Sequence, residues 1–202
     1  MITCDRGVSR PVARSPVSGD ATRRSKLVDM ATLVTLPVEE YLRTSYDPDM
    51  EYVDGQLLER NLGEHFHSRL QTLLTVLLGS RERQRRYRVF SELRIRIGPA
   101  RYRIPDICVV ALPYKVSPIL ERPDLAIEIV SPDDRFSSVL EKVAEYLQAG
   151  IANVWIVDPY QRVVFEADSA GARAAPSYRV TTNLTGEVDF AVLFAALDEP
   201  AE

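Results

Sequence analysis

Cysteine is nearly missing from the 202 residues: Cys4 lies near the start and Cys108 inside a stretch patterned as a core strand. Two cysteines so placed build neither a disulfide framework nor a cysteine metal cluster. No apolar run approaches the ~18 residues that a membrane crossing needs, and no apolar signal-peptide core stands near residue 1. The expectation is a cytoplasmic protein without a membrane partner. An excess of positive charge is also absent, since the formal net charge is −4. That argues against a protein that coats nucleic acid indiscriminately, while leaving room for a local basic patch. There is no glycine-rich phosphate loop, no nucleophilic Ser or Cys motif and no zinc-ligand spacing.

What is present is a chain 46% hydrophobic and 27% charged, enough for one domain with a real core. Residues 1–29, including "MITCDRGVSRPVARSPVSGDATRRSK", have Pro, Gly, Ser and Arg but little apolar periodicity, so they read as a disordered or misassigned extension. Met30 then opens "MATLVTLPVEEYL", and a single domain is expected over 30–202. "PVEEYLRTS" reads as a short helix with Pro in its first turn. In "EYVDGQLLER", Asp54-Gly55 between two extended runs signals a hairpin. Residues 64–80 place Phe66, Leu70, Leu73, Leu74, Leu77 and Leu78 on one helical face, with Gly79 as the stop.

Three strands are expected next. "YRVFSELRIRI" alternates, whereas "IPDICVVAL" and "DLAIEIV" are nearly continuous apolar runs, as in inner strands. A helix follows over 138–149, with Ser138 and Glu141 as a capping box and Gly150 as its left-handed end. "ANVWIVDP" is another buried strand. Residues 161–168 and 177–182 are expected to pair as a final hairpin, and the acidic tail to be loose.

Asp106 and Glu128 sit in the two most apolar of these strands. An unpaired charge in such a place costs several kcal/mol or more. If the two strands pair antiparallel, both acids fall at one sheet edge; alternation puts Asp106 on the face of Cys108 and Val110 and Glu128 on that of Ala126 and Val130, and the carboxylates converge if those faces coincide. Two carboxylates that close repel unless a cation sits between them. Hard oxygen donors suit Mg²⁺ or Mn²⁺, which can activate water for attack on phosphorus. The plainer reading pairs each acid with an arginine. On a wheel through 138–149, Val139, Leu140, Val143, Tyr146 and Leu147 form the buried arc, while Glu141, Glu145 and Gln148 point outward. Lys142 falls on the border, about 40° from Tyr146, where its stem can lie along the sheet and its ammonium reach the acids. Ordinary snorkelling would look the same from the wheel.

"EYVDGQLLER", "GEHFHSRLQ", "YRIPDICVV", "PDLAIEIVSPDD", "LEKVAEYLQAG" and "ANVWIVDP" together resemble the PD-(D/E)XK nuclease superfamily, and within it the Uma-two family of bacterial restriction-endonuclease-like proteins, from about Met30 to Pro159. The resemblance implies an α/β fold with a restriction-endonuclease-like core (helix, three strands, helix, strand), a mixed central sheet and added hairpins. It maps the superfamily's Pro-Asp onto Pro105-Asp106 and its metal-binding acid onto Glu128. The usual lysine position, two residues on, is Val130 here, so the lysine implied is Lys142 from the following helix. It also implies that the Ile129 carbonyl joins the metal site and that the domain starts at Met30.

His67 is similar to a recurrent family histidine, although a lone histidine on a helix border is more often structural. Glu51 and Glu92 are each either a further acid around the metal or an ion-pair partner. Residues 81–103 hold nine arginines and two acids, a local charge of +7, and run directly into Asp106. Arg94, Arg96, Arg101 and Arg103 are the members expected to meet nucleic-acid phosphates; the alternative is a solvated face paired with acids. The function expected is Mg²⁺- or Mn²⁺-dependent hydrolysis of DNA phosphodiester bonds. Its rivals are a non-catalytic module binding nucleic acid or protein, and a metallohydrolase of small phosphates. The oligomeric state is left open, with a homodimer among the options.

Overall fold

The structure, a computed structural model, describes residues 35–61 and 63–199; the expectations for residues 1–29, Met30 and Cys4 lie outside these. Pro37, with its fixed φ, precedes helix α1 (Val38–Arg43). Asp54 and Gly55 both take positive φ, 49° and 93°, and so close the tight turn between β1 (Met50–Val53) and β2 (Gln56–Glu59).

Helix α2 (His65–Arg85) buries Leu70, Leu74 and Leu78 along one face. It runs through Gly79 instead of stopping there. A mid-helix glycine costs only about 1 kcal/mol, less than one buried leucine returns. The stop is Arg86, in the left-handed region at φ 58°. Glu92, at φ 51°, then splits the expected single strand into β3 (Tyr87–Ser91) and β4 (Ile95–Gly98), which join different sheets.

The remaining elements are β5 (Arg101–Arg103), β6 (Ile107–Ala111), β7 (Leu120–Glu121), β8 (Leu125–Ile129), α3 (Phe136–Gln148), β9 (Asn153–Asp158), β10 (Val163–Asp168), β11 (Gly171–Ala174), β12 (Arg179–Thr182), β13 (Gly186–Asp189) and α4 (Phe190–Ala195). The central sheet runs β11-β10-β9-β8-β6-β3. Only β8 and β9 pair in parallel there, across the crossover that α3 supplies. A five-stranded sheet, β2-β1-β5-β4-β7, and the ribbon β12-β13 complete the set. The succession α2, β3, β6, β8, α3, β9 is the expected core order, and the mixed α/β architecture is as expected.

Alternation assigns the two faces of the central sheet. Ile107, Val109, Leu125, Ile127, Trp155 and Val157 meet the leucines of α2 and the α4 residues Phe190, Leu193 and Phe194. Cys108, Val110, Ala126, Val130, Val154 and Ile156 meet Val139, Val143 and Tyr146 of α3. Three tyrosines, Tyr41, Tyr52 and Tyr102, make a separate small core beneath the five-stranded sheet.

Four further expectations need correction. Helix α3 begins at Phe136, so Ser138 lies inside its first turn and no capping box forms. Strand β10 pairs with β9 and β11 while β12 pairs with β13, so the expected last hairpin does not form. The acidic tail is ordered as far as it is described: Phe190, Leu193, Phe194 and Leu197 are buried in the core. Leu140, placed on the buried arc, is exposed.

Candidate active site

Strands β6 and β8 pair antiparallel with Ile107 opposite Ile127, and the same register carried one residue further sets Asp106 against Glu128. Both acids are almost wholly buried, at 5% and 7% exposure. Both line one cavity of about 470 Å³, together with Glu51, Arg60, His67 and Lys142. The question raised by two acids in inner strands thus has a geometric answer: Asp106 immediately precedes β6, Glu128 lies near the end of β8, and both open on a shared cleft.

Each carboxylate is held by specific donors. Asp106 Oδ2 accepts from the Ile129 amide at 2.7 Å and lies 3.3 Å from His67 Nε2; Oδ1 accepts from Arg60 Nη2 at 3.0 Å. Its own carbonyl accepts from Gln71 Nε2 and from the Glu92 amide, pinning the backbone at the strand mouth. Glu128 Oε1 accepts from the Tyr146 hydroxyl at 2.6 Å, and Oε2 from Lys142 Nζ at 3.0 Å. Lys142 Nζ also lies 3.2 Å from Glu51 Oε1. Glu51 accepts in addition from the Ile104 amide and from Arg103 Nη1. Lys142 and Tyr146 stand four residues apart on α3 and so share the face turned to the sheet.

The protonation states follow from this packing. Burial raises the Glu128 carboxyl; Lys142 lowers it, Asp106 and Glu51 raise it again, and the result is about 7. Burial also works against charge on Asp106, but the His67 hydrogen bond and the Ile129 amide outweigh it and hold this carboxyl below the ordinary aspartate range. Glu51 is lowered in the same way: burial is outweighed by Lys142 and Arg103. Burial opposes the Lys142 ammonium, yet Glu128, Glu51 and Asp106 together hold it above the ordinary lysine range. Burial opposes the charged form of His67, and its bond to Asp106 more than offsets this. The His67 Nδ1 is buried without a hydrogen-bond partner among the described residues.

Among the described residues no three His, Cys, Asp or Glu side chains form a ready cage for an ion. The donor set does fit a hard divalent cation that keeps much of its water and takes one or two carboxylates, as Mg²⁺ does. Its oxygens are carboxylate, and the mutual repulsion that helps to raise Glu128 is what a cation between the acids would relieve. Ile129 also lines the cavity.

The other expected residues divide. His67 and Glu51 are in the site. Glu92 is not among the cavity's lining residues; its half-exposed side chain makes a 3.8 Å pair with Arg60. The arginine belt is not one surface. Because α2 continues to Arg85, the nine arginines are spread over α2, β3, β4, β5 and, for Arg86 and Arg94, the links between elements. Arg103 is buried between Glu51 and Glu145, and Arg94 lies 4.5 Å over the Tyr41 ring beside Asp49. The Arg103 guanidinium is fully engaged by Glu51 and Glu145, whereas Arg94 is held by the ring and by a looser 3.9 Å pair with Asp49. Arg96 and Arg101 are more exposed and pair with Glu121, and with Asp54 and Glu145. Glu145, assigned to solvent by the wheel, is therefore a buttress of the site. Arg60, Gln71 and the role of Tyr146 were missed. Only Tyr146 gave a signal, since a hydroxyl on a buried arc needs a partner.

None of the curated proteins compared is similar in sequence to this chain. Among solved structures, "a putative nuclease belonging to DUF820" from Anabaena variabilis ATCC 29413 superposes with a TM-score of 0.71 and 25% sequence identity, over 79% of this chain and 98% of that one. The DrdV–DNA complex gives a TM-score of 0.39 at 14% identity, over 67% of this chain and 14% of that one, a likeness too slight to bear on the site. The family model Uma2, described as "Putative restriction endonuclease", matches residues 38–190. That span holds both strand acids, the helix lysine and every strand of the central sheet, and the chain belongs to the Uma2 family.

Proposed function

We propose that the protein is a divalent-metal-dependent endonuclease that hydrolyses phosphodiester bonds of DNA. One observation carries the reading: Asp106 and Glu128, ending adjacent antiparallel strands, open into one cavity with the Lys142 ammonium 3.0 Å from Glu128. Asp106 and Glu128, with the Ile129 carbonyl, would hold Mg²⁺ or Mn²⁺. Such an ion supplies charge neutralisation at the phosphate and lowers the pKa of water.

The chain's own groups do the rest. In the metal-free protein Lys142 is held protonated by its acidic neighbours, and its ammonium is a hydrogen-bond donor and a positive charge beside Glu128. Aimed at the reacting phosphate it stabilises developing negative charge and orients the water. Glu51 and Glu128 both fix Lys142, and Arg103 fixes Glu51. Tyr146 holds one oxygen of Glu128 and leaves its carboxylate little rotational freedom. His67 and the Ile129 amide do the same for Asp106. DNA as the substrate is supported by the family's description as a restriction endonuclease.

Purified protein should nick or cleave DNA with Mg²⁺ or Mn²⁺ and not with EDTA. Asp106→Asn and Glu128→Gln should each abolish cleavage, and Lys142→Ala should slow it. Equal residual nicking by wild type and Asp106→Asn would refute the assignment and leave a non-catalytic binding module of the same fold.

A further inference from the structure

Arg60 follows β2, at the end of a hairpin on the edge of the five-stranded sheet, and reaches into the cavity. Its Nη2 is 3.0 Å from Asp106 Oδ1, and its other contact is the 3.8 Å pair with half-exposed Glu92. The two oxygens of Asp106 are held differently. Oδ2 is fixed by the Ile129 amide and His67, whereas among the described residues Oδ1 is held by Arg60. A divalent cation approaching Asp106 from the cavity therefore meets the oxygen that a guanidinium already covers. Arginine cannot yield by losing a proton, so it yields by moving. Of the three cations nearest the acids, it is the easiest to move: Lys142 lies between two carboxylates and Arg103 is paired with Glu51 and Glu145.

We propose that Arg60 is an exchangeable counter-cation. It neutralises Asp106 while the metal is absent, is displaced when metal enters, and then clamps a DNA phosphate with its planar fork of donors. This rests on the metal-site reading above and adds a competitor to it. Arg60 opposes metal binding in the free protein and supports DNA binding in the loaded one. Loss of fold or of packing would weaken both, so the opposite signs distinguish the exchange from a structural role.

The test is a calorimetric titration of Mn²⁺ into wild type, Arg60→Gln and Arg60→Lys without DNA. A second measurement follows duplex DNA binding by anisotropy in Ca²⁺. Arg60→Gln should bind Mn²⁺ about tenfold tighter, the effect of releasing one charge-assisted hydrogen bond between partly buried groups. The same variant should bind DNA about tenfold more weakly, for want of one phosphate contact. Arg60→Lys keeps a positive charge on Asp106 and should stay within about threefold of wild type for Mn²⁺. If wild type binds no Mn²⁺, the metal reading fails and takes this inference with it. If wild type binds Mn²⁺ and Arg60→Gln does not bind it more tightly, the inference alone is overturned. It is also overturned if Arg60→Lys tightens Mn²⁺ binding as much as Arg60→Gln, or if DNA binding by Arg60→Gln is unchanged.

Discussion

Replacing Lys142 with methionine keeps the length and apolar stem of the side chain and deletes its charge. Glu51 Oε1 and Glu128 Oε2 lie 3.2 and 3.0 Å from the same nitrogen, which puts them no more than about 6.2 Å apart. At an effective dielectric of 20, two full charges at that distance repel by about 2.7 kcal/mol. The carboxylates also lose a buried partner, and breaking such a pair typically costs about 3–5 kcal/mol. With an m-value of about 2 kcal/mol/M, the urea midpoint should fall by roughly 1.5–2.5 M at pH 8. The pH dependence has a definite sign. The folded-state pKa of Glu128 is raised, to about 7 with the lysine in place, so the fold binds its proton more tightly than the unfolded chain does. That contribution is fully present in acid and is lost as pH rises through the folded value. Without Lys142, the first of the lowering influences on Glu128, the folded value rises further. The variant takes up the Glu128 proton at a higher pH than wild type, which ends the repulsion, so its deficit should be larger at pH 8 than at about pH 5.5, where Glu128 is protonated in both proteins. Urea titrations of both proteins at the two pH values, in EDTA, make the comparison. Equal midpoints at pH 8, or a deficit that does not change with pH, would refute the reasoning.

Tyr146→Phe removes the only described donor to Glu128 Oε1 and should cost about 1.5–3 kcal/mol in chemical unfolding at pH 8. Gly79→Ala should stabilise the protein by about 0.5–1 kcal/mol and raise its melting temperature by ~1–4 °C, because the site is exposed mid-helix and, among the described residues, a Cβ there meets no atom within 4 Å beyond the helix's own backbone; a lower melting temperature would contradict this. Burial pushes the Cys108 thiol up to about 12, so in a Cys4→Ser background it should resist alkylation at pH 8 until denaturant is added.

The acids were legible because two local rules compound: side chains alternate along a strand, and antiparallel pairing brings the start of one strand to the end of the next. Lys142 was legible because a helical angle is fixed by residue count alone. The same wheel failed for Glu145, since an angle says nothing about what another element brings to meet it, here Arg103 and Arg101 from β5. The second sheet, beyond the hairpin that Asp54-Gly55 signals, was hidden for a related reason. Its strands are two to four residues long, too short to show a period, and the left-handed Glu92 that separates β3 from β4 is an ordinary residue in the sequence. Helix α4 was different: Phe190, Leu193, Phe194 and Leu197 have helical spacing, but the acids around them dominated the reading.

Lys142, Glu51, Arg103, Glu145, Arg101 and Asp54 stand in a row of alternating sign that leads from the floor of the cavity to the turn between β1 and β2. Positions 51, 103 and 145 are thereby bound into one hereditary unit. Reversing the charge at any one of them sets like charges against each other in a place water barely reaches, so a lineage can cross between alternatives only by changing neighbours together or by replacing the row with apolar residues. The exposed end at Asp54 is free of that constraint, and drift should accumulate there first.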